Sequence, residues 1–155
     1  MTGNDSFARH LGTVLVALQF IWIVLLAWLA LPAFFAARAP IGAWICAMLG
    51  VLLGLWALSS NRLGNFNIRP APRAGGTLVQ QGPYRWIRHP MYTSVIAVGV
   101  ACAWASGHWL AWLALCALVV VLVVKAVFEE RWMVQAHPAY AVYRQRTRRF
   151  LPWLF

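Results

Sequence analysis

Charged side chains are scarce in this chain and unevenly placed. Arg85, Arg88 and His89 lie close together in sequence, and Glu129 and Glu130 are two of only three acids in 155 residues. Three donors beside two carboxylates form either plain ion pairs or a ligand site. A carboxylate accepts charge-assisted hydrogen bonds from ammonium or hydroxyl groups, and a bidentate Arg grips a carboxylate or phosphate. Tyr84, Tyr92, Tyr140 and Tyr143, the four tyrosines, suit stacking on a flat ring, and equally suit anchoring at a membrane interface. Tyr140, Tyr143 and Arg144 fall at i, i+3 and i+4, the spacing of one helical face.

These residues must be positioned by apolar helices. Hydrophobic residues make up 63 % of the chain and charged ones 10 %, against about 25 % charged in a typical soluble domain. So small a soluble fold leaves about a third of its surface exposed and cannot hide that much apolar area, and disorder is excluded on the same grounds. The composition specifies an integral membrane protein of all-α class, one domain over residues 1–155, with spans at about 11–31, 41–58, 91–106 and 109–128. The first run is too long for a signal-peptide core and is expected to end at Pro32. Gly50 and Gly54 have the small-xxx-small spacing of close helix contact. The run at 91–106 gives only about 24 Å of helix, short for a crossing. Ser106-Gly107-His108 is a tight connection, so the last two helices form an antiparallel hairpin. That hairpin places Arg85, Arg88 and His89 opposite Glu129 and Glu130.

The net charge is +10, with twelve Arg and one Lys. Because the basic residues flank apolar runs, anionic lipid head groups and topology explain them better than nucleic acid does. Four spans put twelve positives, Lys125 included, on one side and Arg38 alone on the other, so both termini and the long loop are expected in the cytoplasm, as in a bacterial inner membrane. The loop over 59–89 carries Gly64, Pro70, Pro72, Gly75, Gly76, Gly82 and Pro83, which reads as ordered turns. Asn61, Asn65 and Asn67 fit turn formation, and a loop this large on a small protein points to function. Cys46, Cys102 and Cys116 lie inside apolar runs without metal or disulfide spacing and read as buried thiols. His10, His108 and His137 are scattered, so no metal site is expected. The chain closes on Phe150-Leu151-Pro152-Trp153-Leu154-Phe155, an aromatic end suited to an interface.

Gly82-Pro83-Tyr84-Arg85-Trp86-Ile87-Arg88-His89-Pro90-Met91-Tyr92 resembles the G-x-Y-x-x-x-R-H-P-x-Y signature of the isoprenylcysteine carboxyl methyltransferase and phospholipid methyltransferase superfamily. Glu129-Glu130 resembles its E-E motif, and Tyr140-x-x-Tyr143 with Arg149-Phe150-Leu151-Pro152 resembles its tail. Ser94 stands where the family often has Gly, and His137-Pro138 replaces a more usual F-G-x-x. The resemblance implies S-adenosylmethionine as cofactor, with Gly82, Tyr84, Arg85, His89, Pro90, Tyr92, Glu129, Glu130, Tyr140 and Tyr143 binding it and Arg88, Glu130 and Arg149 in catalysis. Glu129 and Glu130 would then accept from the cofactor's ammonium and ribose hydroxyls, and Arg85, Arg88 and His89 would hold a carboxylate or phosphate.

A lipophilic acceptor from the bilayer is implied as partner. A small lipophilic thioether carboxylate, a phospholipid amine and a quinone-like or isoprenoid acid are the alternatives. Transfer from a sulfonium to a carboxylate destroys two opposite charges, which a water-poor site favours. Two other classes compete. A small four-helix transporter of cations would need an acid inside a span, and a thiol or quinone redox protein would need paired Cys at the rim.

Overall fold

A computed structural model describes residues 3–61 and 78–152, with side chains from residue 10. The expectations for the loop over 62–77 and for the aromatic end at 153–155 lie outside the described residues. Among the described residues five α-helices follow in order: α1 (Gly3–Phe35), α2 (Ile41–Ser60), α3 (Pro90–Ser106), α4 (Trp109–Ala136) and α5 (Tyr140–Arg146), with a 3-10 turn at Gly82–Arg85 before α3. The fold is all-α, as the composition requires. His10–Phe35, Ile41–Ser60 and Trp109–Ala136 are each long and apolar enough to cross a membrane; α3 is a shorter apolar helix.

Two helices run further than the apolar runs suggest. α1 continues through Pro32 to Phe35. The proline removes one donor near the end, and the final carbonyls are capped by Ala36 N–H to Pro32 O at 3.1 Å and Arg38 N–H to Ala33 O at 2.9 Å. Ala37, at φ 52°, takes the left-handed position that usually falls to Gly in such a cap. α4 passes Phe128 and runs eight residues on, because Glu129 to Ala136 contains no Gly or Pro and is rich in good helix formers. Glu129 and Glu130 therefore sit inside a helix rather than at its end.

The hairpin expected from Ser106-Gly107-His108 is present. Gly107 supplies a left-handed residue at φ 64°, and His108 caps α4 by accepting from Leu110 N–H. Closest packing is between α2 and α3. A Cβ on Gly50 would lie 2.9 Å from Val98 Cγ2, and one on Gly54 would lie 2.6 Å from Ser94 Oγ. Ser94 is accommodated because its hydroxyl donates to the Gly50 carbonyl at 2.7 Å. On the other side α1 packs into the α3–α4 groove through Leu26, Leu115, Leu118 and Leu122. Trp28, Trp109, Trp112 and Val120 are exposed on the outside, the apolar exterior a bilayer solvates. Cys116 is exposed on that exterior too, and Cys46 and Cys102 are half-buried, so the thiols are less enclosed than the sequence suggested.

Candidate active site

Three separate stretches converge at one end of the hairpin. Pro90 opens α3 at its first turn, where a missing N–H costs nothing, and Trp86 to His89 lead into it from the 3-10 turn, outside either helix. The tail after α5 lies parallel to them: Arg88 N–H donates to Arg148 O at 2.7 Å, His89 N–H to Arg149 O at 3.1 Å, and Arg148 N–H to Trp86 O at 3.0 Å. Thr93 Oγ1 adds a bond to Phe150 O at 2.8 Å. The Arg-His-Pro and Arg-Phe-Leu-Pro segments are thus laced together by backbone.

Glu130 is the hub. Its side chain is 3 % exposed. Arg88 Nε donates to its Oε1 at 2.9 Å, Arg149 donates to both oxygens at 3.0 Å, and His89 Nε2 lies 3.2 Å from Oε1. Arg88 Nη1 turns the other way, to the carbonyls of Arg144 (3.2 Å) and Thr147. Those bonds order the tail, a structural duty beside any contact with substrate. The Glu130 hydrogen bonds hold the Arg149 guanidinium above its ordinary pKa.

Glu129 is more open, with 20 % of its side chain exposed. Tyr92 Oη donates to its Oε1, and His89 Nδ1 lies 3.5 Å from its Oε2. His89 therefore stands between the two carboxylates, and its ring stacks on Tyr92 at 5.4 Å and 3°. This fixes which groups face each other: Arg88, Arg149 and His89 around Glu130; His89 and Tyr92 around Glu129.

The other sequence candidates frame the cluster. Tyr140 and Tyr143 are buried on α5, edge to face at 5.7 Å, and Tyr143 Oη donates to Tyr84 O at 2.7 Å. The three residues expected on one helical face lie on α5, which buries Tyr140 and Tyr143 and leaves Arg144 exposed. Burial raises the pKa of both phenols above the ordinary Tyr value, and burial, aided by the charge of Glu129, pushes Tyr84 up to about 12 against a side-chain hydrogen bond with Asn61 that lowers it. Gly82, at φ 58°, turns the chain against the end of α2, where a Cβ would strike Ser60. Pro83 and Pro90 are fully buried.

Arg85 does not join the cluster. Pro83 and Ile87 take the inward positions on either side of it, leaving Arg85 exposed with its guanidinium 5.7 Å from the Trp86 ring centre. It lines an open cavity of about 620 Å³ with Gln80, Val142, Tyr143, Arg146 and Thr147.

Lys125 is a second correction. Placed with the cytoplasmic charges by sequence, it is 2 % exposed inside α4, and its Nζ donates to Gln19 Oε1 on α1 at 2.6 Å and lies 5.2 Å over the Tyr92 ring. The signal was available: it is the one lysine among thirteen basic residues, inside an apolar run, and Gln19 interrupts another.

An apolar helical bundle that seats a buried Arg–His–Glu cluster at one end of a hairpin defines a class of integral membrane protein with a polar site at the rim of its helices. Residues 40–139 match the family model described as phospholipid methyltransferase. The chain belongs to that family, within the superfamily of integral membrane methyltransferases that includes the isoprenylcysteine carboxyl enzymes. It is also 30 % identical over 138 residues to the cobalt-zinc-cadmium resistance protein CzcN of Cupriavidus metallidurans, covering 86 % of this chain and 63 % of that relative. The chain thus spans less than two thirds of the relative's length.

Proposed function

We propose that this protein transfers a methyl group from S-adenosylmethionine to a lipophilic acceptor held in the membrane, a carboxylate by preference, with a lipid amine as the alternative. The observation that carries the reading is the convergence of Arg88-His89, Glu129-Glu130 and Arg149 on one end of the α3–α4 hairpin, in a chain of the phospholipid methyltransferase family. With α3 as a fourth crossing, and Lys125 removed from the charge count, eleven positives still face one, so both termini and the site lie on the cytoplasmic side. A water-soluble cofactor then enters from the cytosol and the acceptor from between the helices.

The donor set fits the cofactor. Both Glu130 oxygens are engaged by Arg88, Arg149 and His89, whereas Glu129 keeps exposed surface and lone pairs to accept from an ammonium or a ribose hydroxyl. When bound, S-adenosylmethionine supplies an electrophilic methyl on a sulfonium. Arg88, Arg149 and His89 hold Glu130, and through it the tail that closes the site. The buried Tyr140 and Tyr143 exclude water and shape one wall. A carboxylate acceptor needs no base; an amine acceptor must lose a proton, and His89, between the two carboxylates, is the residue placed to take it. The tie to cobalt, zinc and cadmium resistance enters only as the physiological setting in which the relative is named.

The test is binding of S-adenosylhomocysteine to the purified full chain, read as a rise in unfolding temperature with ligand concentration. A saturable rise is expected. No shift at concentrations that saturate known methyltransferases overturns the reading.

A further inference from the structure

One buried cation lies deeper in the bundle than the Glu130 cluster. Lys125 stands four residues before Glu129, about 6 Å along the helix toward the apolar interior. Its Nζ carries three donors, and Gln19 Oε1 is its hydrogen-bond acceptor among the described residues, with the Tyr92 ring face alongside. Gln19 is neutral and cannot balance the charge. The nearest counter-ion is Glu129, which Tyr92 and His89 also face, while Glu130 is shared by Arg88 and Arg149. Counted over the described core of the site, Lys125, Arg88 and Arg149 stand against Glu129 and Glu130, one cation in excess. An ion in so poorly solvated a place is costly unless a partner is present.

A purely structural polar pair would be satisfied by two neutral side chains. A lysine is retained instead, the only one in the chain, with twelve arginines elsewhere. Its contact with Gln19 also bridges α1 to α4, and α1 lies outside residues 40–139, the part shared with the family model. A group that joins the matched helices to α1 is well placed to choose the acceptor.

We propose that Lys125, oriented by Gln19 and Tyr92, anchors an anionic head group of the acceptor, which reaches it from the bilayer between α1, α3 and α4. The acceptor is then a lipophilic carboxylate rather than an amine. This deepens the methyl-transfer reading and rests on it for the reaction. One carboxylate oxygen forms the new O–CH₃ bond as the S–CH₃ bond breaks. The electron pair stays on sulfur, leaving a thioether and a methyl ester, and no proton moves. Lys125 touches the acceptor and holds its charge until the ester forms; the neutral product then loses that attraction and leaves.

The full chain in nanodiscs of zwitterionic lipid, with oleate and oleamide as probes, tests the site. Because Lys125 is the only lysine, an amine-acetylating reagent reports on it directly, through the mass of its peptide. Oleate should slow acetylation of Lys125 by at least about tenfold more than oleamide does at equal concentration, and Lys125→Met should weaken oleate binding about tenfold while leaving oleamide within about twofold. Gln19→Leu, which removes the orienting acceptor, should narrow the same oleate preference. Equal protection by the two probes, or an undiminished oleate preference in Lys125→Met, overturns the proposal. If Lys125→Met does not fold, or if Lys125 is too enclosed to be acetylated in the ligand-free parent, the affinities of the parent for the two probes decide, and equal binding of oleate and oleamide overturns the proposal. S-adenosylhomocysteine binding by the parent separates the two readings. Oleate-selective protection without it keeps the anion site and sinks methyl transfer; its binding with no oleate preference does the reverse.

Discussion

Arg149 holds Glu130 through both carboxylate oxygens, Nε to Oε1 and Nη2 to Oε2, each at 3.0 Å. This fork ties the last described segment of the chain to the C-terminal third of α4, across nineteen residues of sequence. With Arg88 on the same Oε1, it makes Glu130 the carboxylate that organises the site and leaves Glu129 as the one available to a ligand.

The two neighbouring acids should therefore answer differently to the same change. Glu130→Gln leaves two guanidiniums without their anion in a buried place, at a cost of about 2–4 kcal/mol in stability. Glu129→Gln should leave the unfolding temperature near that of the parent and weaken S-adenosylhomocysteine by at least about tenfold, or about 1.4 kcal/mol. Calorimetric titration and thermal unfolding of both variants check this. Equal loss of stability in both would remove the division of roles.

Arg88→Lys keeps the charge but cannot reach Glu130 and the carbonyls of Arg144 and Thr147 together. The tail should loosen, with a stability loss of about 1–3 kcal/mol and faster tryptic cleavage after Arg144 and Arg146. Turnover should fall at least about tenfold in kcat/KM, since a tail out of place leaves the site open. Unchanged cleavage with lost turnover would mean that Arg88 acts on substrate alone.

The pairing of the motifs was legible because it depends on the hairpin alone. A short Ser106-Gly107-His108 connection forces α3 and α4 antiparallel, and that sets Arg88 and His89 beside Glu129 and Glu130. What escaped was direction. Arg85, three residues from Arg88, points away, because the 3-10 turn puts Pro83 inward. Likewise the i, i+3, i+4 spacing groups Tyr140, Tyr143 and Arg144 on α5, but only tertiary packing decides that the two rings are buried and Arg144 is exposed. The parallel pairing of 86–89 with the tail is backbone hydrogen bonding between distant segments and leaves no periodicity to read. Lys125 was misplaced by proximity to basic residues, although its apolar neighbours on α4 gave its depth.

Alkali should unfold the protein through its tyrosines. Tyr84 is held at about 12 in the fold against an ordinary value of 10.0, so its contribution to stability is intact below the ordinary value and lost as pH rises through the shifted one. Tyr140 and Tyr143 shift in the same direction. Thermal unfolding from about pH 8 upward should show the parent losing more stability than Tyr84→Phe across that interval. Parallel pH profiles for the two proteins would contradict the assignment.

Orientation in the membrane is open to direct measurement. Gln80 and His108 are exposed, before α3 and after it. If α3 crosses, cysteines at these two positions should react with an impermeant maleimide from opposite sides of intact cells, position 108 from outside. Labelling of both from one side would make α3 a re-entrant helix.

The most direct measurement of the central claim is transfer of labelled methyl from S-adenosylmethionine into a membrane lipid extract by the purified full chain, with Glu129→Gln run beside it. The account predicts label in the organic phase, released by mild base as a methyl ester should be, and at least about tenfold less with the variant. No label above the protein-free control across extracts, from a chain that is folded, would contradict it.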